Sequence, residues 1–279
     1  MVDVREWSSA DAARLLRIPG QGDDKYSRGV VALRTGSNAY PGAAVLGVEA
    51  AWRAGAGYVR FVGEGRAADA VIARRPETVA AADIGRTRVG AWVIGSGTDA
   101  GDRSPDEERA LRDILNGPAP VVVDAGALDL ALTASAPLVV TPHAGEFARL
   151  RELLNLPPDG TGDRVVDVAE TAHVLGRTVL LKGSTTLVAA SDGARVLSVA
   201  CAPAWLATAG AGDVLAGVIG ALLAAAPDAS VAEAAAAAAW LHGHAATLAS
   251  GSATGAHGHP IVALDVAEAL PAAIEDLLS

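Results

Sequence analysis

The stretch ATAGAGDVLAG, residues 207–217, joins a turn of small residues to a single carboxylate at the start of an apolar run. Gly210 and Gly212 let the backbone turn tightly and bring several N–H groups together. A helix starting at Asp213 adds the positive end of its dipole. This combination predicts an anion hole with Asp213 beside it, placed to accept a proton from a hydroxyl during phosphoryl transfer. A simple capped helix explains the same residues, because Asp is a common N-cap, so the stretch alone leaves both interpretations open.

The residues on the N-terminal side of this stretch alternate between strand-like and helix-like segments. PVVVDAG (120–126) and TVLLKG (178–183) are short β-branched or apolar runs of the kind found in buried parallel strands. SPDEERALRDILNG (104–117) is typical of a capped helix, and TTLVAASDGARVLSV (185–199) of a hairpin that turns near Asp192–Gly193. The alternation predicts an α/β fold, with a mostly parallel central sheet covered on both faces, in one domain over residues 1–279.

Composition and charge narrow the classes of partner. The 279 residues carry a formal net charge of −10, which argues against nucleic acid or an anionic membrane as a partner, since both need a basic face. One cysteine, Cys201, excludes an intrachain disulfide and a cysteine metal cluster. The apolar run Val214 to Ala226 is shorter than the ~17–25 residues of a membrane helix, and the opening residues lack the apolar core of a signal peptide. We therefore expect a soluble cytoplasmic protein.

Four short polar motifs follow predicted strands or strand-like runs. They are GSG (95–97), DAG (124–126), TPHAGE (141–146) and KGSTT (182–186). Ligands of open α/β sheets bind beyond the carboxyl ends of the strands. The motifs therefore predict a ligand site at one edge of the sheet.

Several longer segments resemble one family. ATAGAGDVLAGVIGALLA resembles the G-[TA]-G-D signature of the ribokinase-like superfamily. TPHAGEFARL, LLKGSTTLVAASDG, GSNAYPGAAVLGVEAAWRAGAGYVRF and WLHGHAATLA resemble segments of the ADP/ATP-dependent NAD(P)H-hydrate dehydratases, in that family's order, from about Lys25 onward. The resemblance implies a ribokinase-like three-layer α/β/α sandwich and a repair enzyme. Such an enzyme phosphorylates the hydroxyl of hydrated NADH or NADPH with a nucleotide, then eliminates phosphate to restore the cofactor.

The same resemblance implies the remaining partners. Bacterial-type stand-alone members use ADP as the phosphate donor and leave AMP, whereas eukaryotic members favour ATP. Mg²⁺ accompanies the nucleotide. The resemblance also implies a homotetramer and a functional partnership with a hydrate epimerase, which would be a separate protein here.

The resemblance assigns roles to individual positions. Asp213 is the expected base and contacts the substrate. The anion hole comprises Gly210, Ala211 and Gly212. The nucleotide-binding residues are Lys182, Gly183, Ser184, Thr185, Thr186 and Gly212. Ala43, Gly97 and His143 are expected to hold the hydrate, and Glu146 to place Mg²⁺ through water, because magnesium keeps several waters.

The chain departs from the family pattern at a few positions. Gly126 stands where the family's D-A-D-A-L run has a second carboxylate, and Trp205 follows Pro203-Ala204 where P-G-M is frequent. Arg34 replaces a small or apolar residue, and Ala211 replaces a common threonine without affecting backbone donors. These changes leave Asp213 in place, so activity is still expected.

Two other functions stay open at this point. A ribokinase-like kinase for a vitamin precursor or sugar would share the anion hole and Asp213 but stop at the phosphorylated product; such kinases more often carry asparagine at the position of His143. A non-catalytic nucleotide sensor would need neither base nor turnover. The histidines at 242, 244, 257 and 259 do not favour a metal site, because neither carboxylates nor cysteines accompany them.

Overall fold

The computed structural model describes residues 2–252 and 257–279. Its centre is a ten-stranded sheet in the order β1-β10-β9-β8-β7-β6-β5-β2-β3-β4. The strands are β1 (Asp3–Glu6), β2 (Val30–Arg34), β3 (Tyr58–Val62), β4 (Val79–Ala81), β5 (Ala91–Ile94), β6 (Val121–Val123), β7 (Leu138–Val140), β8 (Thr178–Leu181), β9 (Thr186–Ala189) and β10 (Arg195–Val199).

Strand pairing is parallel except around the predicted hairpin. β9 runs antiparallel to both β8 and β10, and every other pair in the sheet is parallel. Residues 190–194, between β9 and β10, contain the predicted turn. The mostly parallel sheet and the hairpin are therefore confirmed.

Helices cover both faces of the sheet. They are α1 (Ser9–Ala13), α2 (Pro41–Arg53), α3 (Gly65–Arg74), α4 (Pro105–Leu115), α5 (Ala144–Leu153), α6 (Arg164–Leu175), α7 (Ala211–Ala225), α8 (Val231–Ala249) and α9 (Ala263–Leu278). Residues of α2, α7, α8 and α9 share one buried cluster, whereas α4, α5 and α6 contribute to a second. The strands from β2 to β10, except β4, supply both clusters by alternation: on β6, Val122 joins the first, and Val121 and Val123 join the second. The three-layer α/β/α arrangement is confirmed.

Helix α7 begins two residues earlier than the sequence predicts. Gly210 is its N-cap, in the left-handed region at φ 85°, and no side chain caps the helix. Asp213 therefore lies inside the first turn and does not act as an N-cap, which removes the capped-helix explanation for its presence.

The described residues contain no helix that combines the length and apolarity needed to cross a membrane.

Candidate active site

The main cavity has a volume of about 800 Å³ and lies where strands β6, β7 and β8 end and helix α7 begins. Its wall includes Asp124 after β6, His143 after β7 and Lys182 after β8, together with Gly210–Asp213 from the start of α7. Parallel strands place their carboxyl ends at one edge, so segments distant in sequence meet here. The structure thus brings three of the four predicted polar motifs to one cavity.

Most predicted site residues line this cavity. They are His143, Lys182, Gly183, Ser184, Thr186, Gly210, Ala211, Gly212 and Asp213. Thr185, Glu146, Ala43 and Gly97 are not among its lining residues.

The start of α7 supplies the predicted anion hole. The first N–H groups of a helix lack intrahelical acceptors and point toward a ligand. The N–H of Ala211 donates a long bond of 3.4 Å to the carbonyl of Thr208. Gly210 has a φ of 85°, a left-handed backbone that favours glycine, and a Cβ there would also lie 2.6 Å from Leu46 Cδ1. The local turn therefore depends on the glycine predicted to form it.

Asp213 titrates unusually for an aspartate. Burial and, to a smaller extent, the charge of Asp124 raise its pKa to about 6, against the opposing charge of Lys182. A carboxylate with a pKa close to neutral both accepts and releases a proton readily. The electrostatics of the cavity therefore suit Asp213 to the role of general base.

Asp124 anchors the polar end of the cavity and has no counterpart among the predicted site residues. Its side chain is nearly inaccessible, and it accepts hydrogen bonds from Ser96 Oγ at 2.9 Å and Thr141 Oγ1 at 2.8 Å. Lys182 Nζ donates to the same carboxylate at 3.0 Å. The DAG motif located this acid at a strand end, but only the fold reveals its contact with Lys182, 58 residues away.

Lys182 stands between the acids and the anion hole. Its Nζ lies 3.0 Å from Asp124 Oδ1 and 3.8 Å from Glu146 Oε2. A Cβ on Gly212 would lie 3.3 Å from the same nitrogen. The ammonium group is therefore directed at the start of α7 rather than into bulk solvent, which suits contact with a nucleotide phosphate.

His143 and Glu146 cap helix α5 reciprocally. His143 Nδ1 accepts the N–H of Gly145 at 3.1 Å, and Glu146 Oε2 accepts the N–H of His143 at 2.8 Å. The turn thus satisfies Nδ1 of His143, while Nε2 lies 3.4 Å from Glu146 Oε1. The capping bonds hold the histidine ring at the cavity wall.

The donor set at this edge fits magnesium only through water. No group of three His, Cys, Asp or Glu side chains converges on a metal position within the part of the chain that the structure describes. One oxygen of Glu146 is already committed to the cap, and the Lys182 ammonium lies beside it. Magnesium bound mainly by phosphates and waters needs just one or two carboxylates, so a water-mediated contact to Glu146 is compatible with this geometry.

Ala43 and Gly97 lie against each other outside the main cavity. A Cβ on Gly97 would be 2.3 Å from Ala43 Cβ, so α2 and the loop after β5 touch here. A second cavity of about 340 Å³, lined by Gly36, Tyr40 and Thr98, opens beside this contact. The predicted substrate residues therefore fall into two neighbouring regions rather than one.

The departures from the family pattern have local explanations. A side chain at Gly126 would place its Cβ 2.3 Å from the Thr98 carbonyl oxygen, and Arg103 donates to the carbonyl of Gly126. Arg34 forms a paired contact with Glu107, with Nε to Oε1 at 2.9 Å. These two positions are therefore integrated into the loops of this chain.

Trp205 is partly exposed and does not line the main cavity, although its neighbours Ala204 and Leu206 do. Its indole N–H donates to the carbonyl of His257 at 2.7 Å. The indole therefore ties the segment before α7 to the segment before α9.

Arg164 is a further residue that sequence reasoning missed. At the first position of α6, it donates to the carbonyl of Thr185 at 3.3 Å and reaches the carbonyl of Lys182 at 3.5 Å. It therefore braces the turn that carries the predicted nucleotide-binding residues. No local motif marked it, because its partners lie across the sheet edge.

Comparison with known proteins decides the family. The Carb_kinase family model, described as NAD(P)H-hydrate dehydratase, matches residues 31–264. The chain belongs to this family. The family expected from the sequence is thereby confirmed.

Individual relatives agree with this assignment. The bifunctional NAD(P)H-hydrate repair enzyme Nnr of Mycobacterium tuberculosis is 44% identical over 230 residues, which are 80% of this chain and 46% of that protein. The ADP-dependent (S)-NAD(P)H-hydrate dehydratase of Neisseria meningitidis is 38% identical over 244 residues, 82% of this chain and 80% of that protein. The chain spans about half the length of the bifunctional relatives.

A solved structure covers the whole fold. The ADP/ATP-dependent NAD(P)H-hydrate dehydratase of Bacillus subtilis, co-crystallized with ATP/Mg²⁺, superposes with a TM-score of 0.83 at 25% identity. The match covers 99% of each chain.

Proposed function

We propose that this protein is an ADP-dependent (S)-NAD(P)H-hydrate dehydratase. The observation that carries the proposal is the position of Asp213, whose pKa is raised to about 6, in the first turn of α7 beside Asp124 and Lys182. Family membership supports hydrated NADH or NADPH as the substrate.

The first half of the reaction is phosphoryl transfer. Asp213 takes the proton of the hydrate hydroxyl, whose oxygen then attacks the terminal phosphorus of ADP. The bond between that phosphorus and its bridging oxygen breaks, and AMP leaves. The N–H groups of Gly210, Ala211 and Gly212 stabilise the transferring phosphoryl group, and Lys182 offsets the charge on the bridging oxygen.

The second half is elimination. Phosphate is a better leaving group than hydroxide, so the carbon–oxygen bond breaks with phosphate departure. A proton leaves the neighbouring ring carbon, which restores the ring double bond and the reduced cofactor. His143 lies at the cavity wall, where it would contact the hydrate.

The same proposal assigns residues to the nucleotide, the metal ion and the hydrate. Lys182 and residues 183–186 would hold ADP, with ATP as the alternative donor. Glu146 would hold Mg²⁺ through water, and the ion would supply charge neutralisation to the phosphates. Ala43 and Gly97 would border the part of the hydrate that extends toward the second cavity. The one-domain organisation, a homotetramer, a cytoplasmic location and a separate hydrate epimerase stay predictions.

Product analysis separates this function from its rivals. The purified protein is incubated with NADH hydrate, Mg²⁺ and ADP, and the products are resolved by chromatography. The proposal expects AMP, phosphate and NADH in equal amounts. A phosphorylated product without NADH would indicate a kinase, and nucleotide binding without any product would indicate a sensor; either result contradicts the dehydratase.

A further inference from the structure

The main cavity changes character beyond the anion hole. Besides the residues of the polar motifs and the anion hole, its wall contains a mostly apolar set, namely Ala202, Pro203, Ala204, Leu206, Ala207 and Leu215. The polar side chains that accompany this set are those of Thr208 and His242. An apolar wall with few polar groups is typical of a site for a flat heterocycle or a sugar that must be oriented.

His242 is a buried polar group without an internal partner. It lies on α8 with 5% of its surface exposed, and within residues 2–252 and 257–279 its Nε2 has no hydrogen-bond partner. The backbone of Ala211 is close enough to act on the pKa of the ring in the opposite direction to burial, but Nε2 has no partner that meets hydrogen-bond geometry. A buried polar atom left unpaired costs about 1–3 kcal/mol, so a ligand that pairs it recovers free energy.

The ring is neutral at physiological pH. Burial lowers the pKa of His242 to about 4, and the charge of Lys182 acts in the same direction. A neutral imidazole offers one donor and one acceptor nitrogen, whereas a cation would offer donors alone. The environment therefore favours a hydrogen bond to an uncharged polar group rather than to phosphate.

The position of His242 indicates which part of a ligand would reach it. Ala211 and Leu215 lie about one turn apart on the same face of α7, about 6 Å along the helix. His242 lies beside Ala211, on the wall that continues to Leu215. Consider a nucleotide whose phosphate occupies the anion hole and whose remainder lies along this face of α7. Its nucleoside part would then lie next to His242.

We propose that His242 is a specificity-determining residue whose Nε2 forms a hydrogen bond with the nucleoside part of the bound adenine nucleotide. This inference rests on the proposed function, because it takes the occupant of the cavity to be ADP or AMP. The partner of Nε2 in this bond is a polar atom of the nucleoside, on either the base or the ribose.

Equilibrium binding to the full chain tests the proposal. AMP, ADP and pyrophosphate are titrated by calorimetry into the wild type, His242→Leu and His242→Gln, with folding checked by circular dichroism. We expect His242→Leu to weaken AMP and ADP binding about 2- to 12-fold, the equivalent of one neutral hydrogen bond. Pyrophosphate, which lacks the nucleoside, is expected to bind all three proteins within about twofold, and His242→Gln to retain part of the AMP affinity.

Two analogues locate the bond. If Nε2 pairs with the base, inosine diphosphate (IDP) is expected to bind the wild type and His242→Leu with equal affinity. If Nε2 pairs with the ribose 2′-hydroxyl, 2′-deoxy-ADP is expected to bind both proteins with equal affinity. Either pattern supports the proposal. Should His242→Leu fail to fold, the ¹⁵N imidazole resonance of His242 in the wild type replaces it, and a shift of that resonance on adding AMP is expected.

Equal AMP affinity in the wild type and a folded His242→Leu overturns the proposal. So does a parallel loss for AMP and pyrophosphate, since that result would mean that His242 acts only through the shape of the anion hole. An unmoved imidazole resonance on saturation with AMP does the same. A wild type that binds no adenine nucleotide contradicts the proposed function itself, which distinguishes the two failures.

Discussion

Lys182 Nζ and Asp124 Oδ1 lie 3.0 Å apart and join β8 to β6 across the intervening strand β7. The pair sits at the start of α7, where Lys182 also lowers and Asp124 raises the pKa of Asp213. One cation thus has two effects: it contacts the phosphate position, and it moderates the pKa of the base.

Replacing Lys182 separates these effects. Lys182→Met is expected to weaken ADP binding about 10- to 100-fold, because hydrogen bonds to charged groups contribute about 1.5–3 kcal/mol. It is also expected to raise the pKa of Asp213 further, since the cation that lowers this pKa is gone. Calorimetry measures the first effect and the pH dependence of kcat/KM the second.

Lys25→Met is the matched control for this change. Lys25 lies over the rings of Tyr26 and Tyr58, outside the residues that line the main cavity. Its replacement is expected to leave ADP affinity unchanged. Equal losses in both variants would show that the effect reflects net charge rather than the position of Lys182.

The pH dependence of activity follows from the titration of Asp213. A base must be ionised, so kcat/KM is expected to rise with pH and level off above an apparent pKa of about 6. Bound nucleotide adds negative charge near Asp213 and so raises its pKa. The rising part of the profile of kcat against pH is therefore expected at higher pH than that of kcat/KM. A rate profile that is flat between pH 5 and 7.5 would argue against Asp213 as the base.

The same titration affects stability. Because the folded-state pKa of Asp213 is raised from 3.8 to about 6, its favourable contribution is complete below about pH 4 and is lost as pH rises through 6. Asp213→Asn removes the buried charge and is expected to stabilise the protein by about 1–3 kcal/mol at pH 7–8, with no gain below pH 4. Urea unfolding of both proteins at pH 4 and pH 8 measures the difference; a variant less stable than the wild type at pH 8 would contradict the burial of this charge.

Restoring the family carboxylate at position 126 is expected to be harmful in this chain. Gly126→Asp would force a Cβ to within 2.3 Å of the Thr98 carbonyl oxygen and 2.5 Å of its hydroxyl, so the loops after β5 and β6 must separate. We expect a loss of about 1–3 kcal/mol in unfolding free energy and no gain in activity. Gly22→Asp is the control, because a Cβ there meets nothing within 4 Å. A Gly126→Asp variant that unfolds at the wild-type urea midpoint would show that these loops adapt freely.

Local sequence patterns predicted much of the fold because buried parallel strands have apolar, β-branched runs and their helices have capping residues. β1 was missed since its residues DVRE are all exposed and lack an apolar pattern. The start of α7 was placed too late, because its N-cap is the left-handed Gly210, which has no capping side chain to mark it in the sequence, and not Asp213.

The site was predictable to a similar degree. His143, Lys182 and Asp213 belong to motifs that follow strands, so the sheet edge brings them together. Asp124 and Arg164 act through contacts with residues distant in sequence, which depend on strand order. His242 reaches the cavity wall only through helix packing. Burial distinguishes His242 from His244, which lies two residues further along α8 and pairs with Asp276 at the surface.

The most direct test of the central claim follows absorbance at 340 nm. Wild type and Asp213→Asn are mixed with NADH hydrate, Mg²⁺ and ADP, ATP or no nucleotide. The hydrate lacks the dihydronicotinamide chromophore, so repair produces rising absorbance. We predict a rise with the wild type that requires nucleotide and is faster with ADP, and at least a 100-fold slower rise with Asp213→Asn, which still binds nucleotide. A flat trace with nucleotide-bound wild type, or equal rates for the two proteins, would contradict the account.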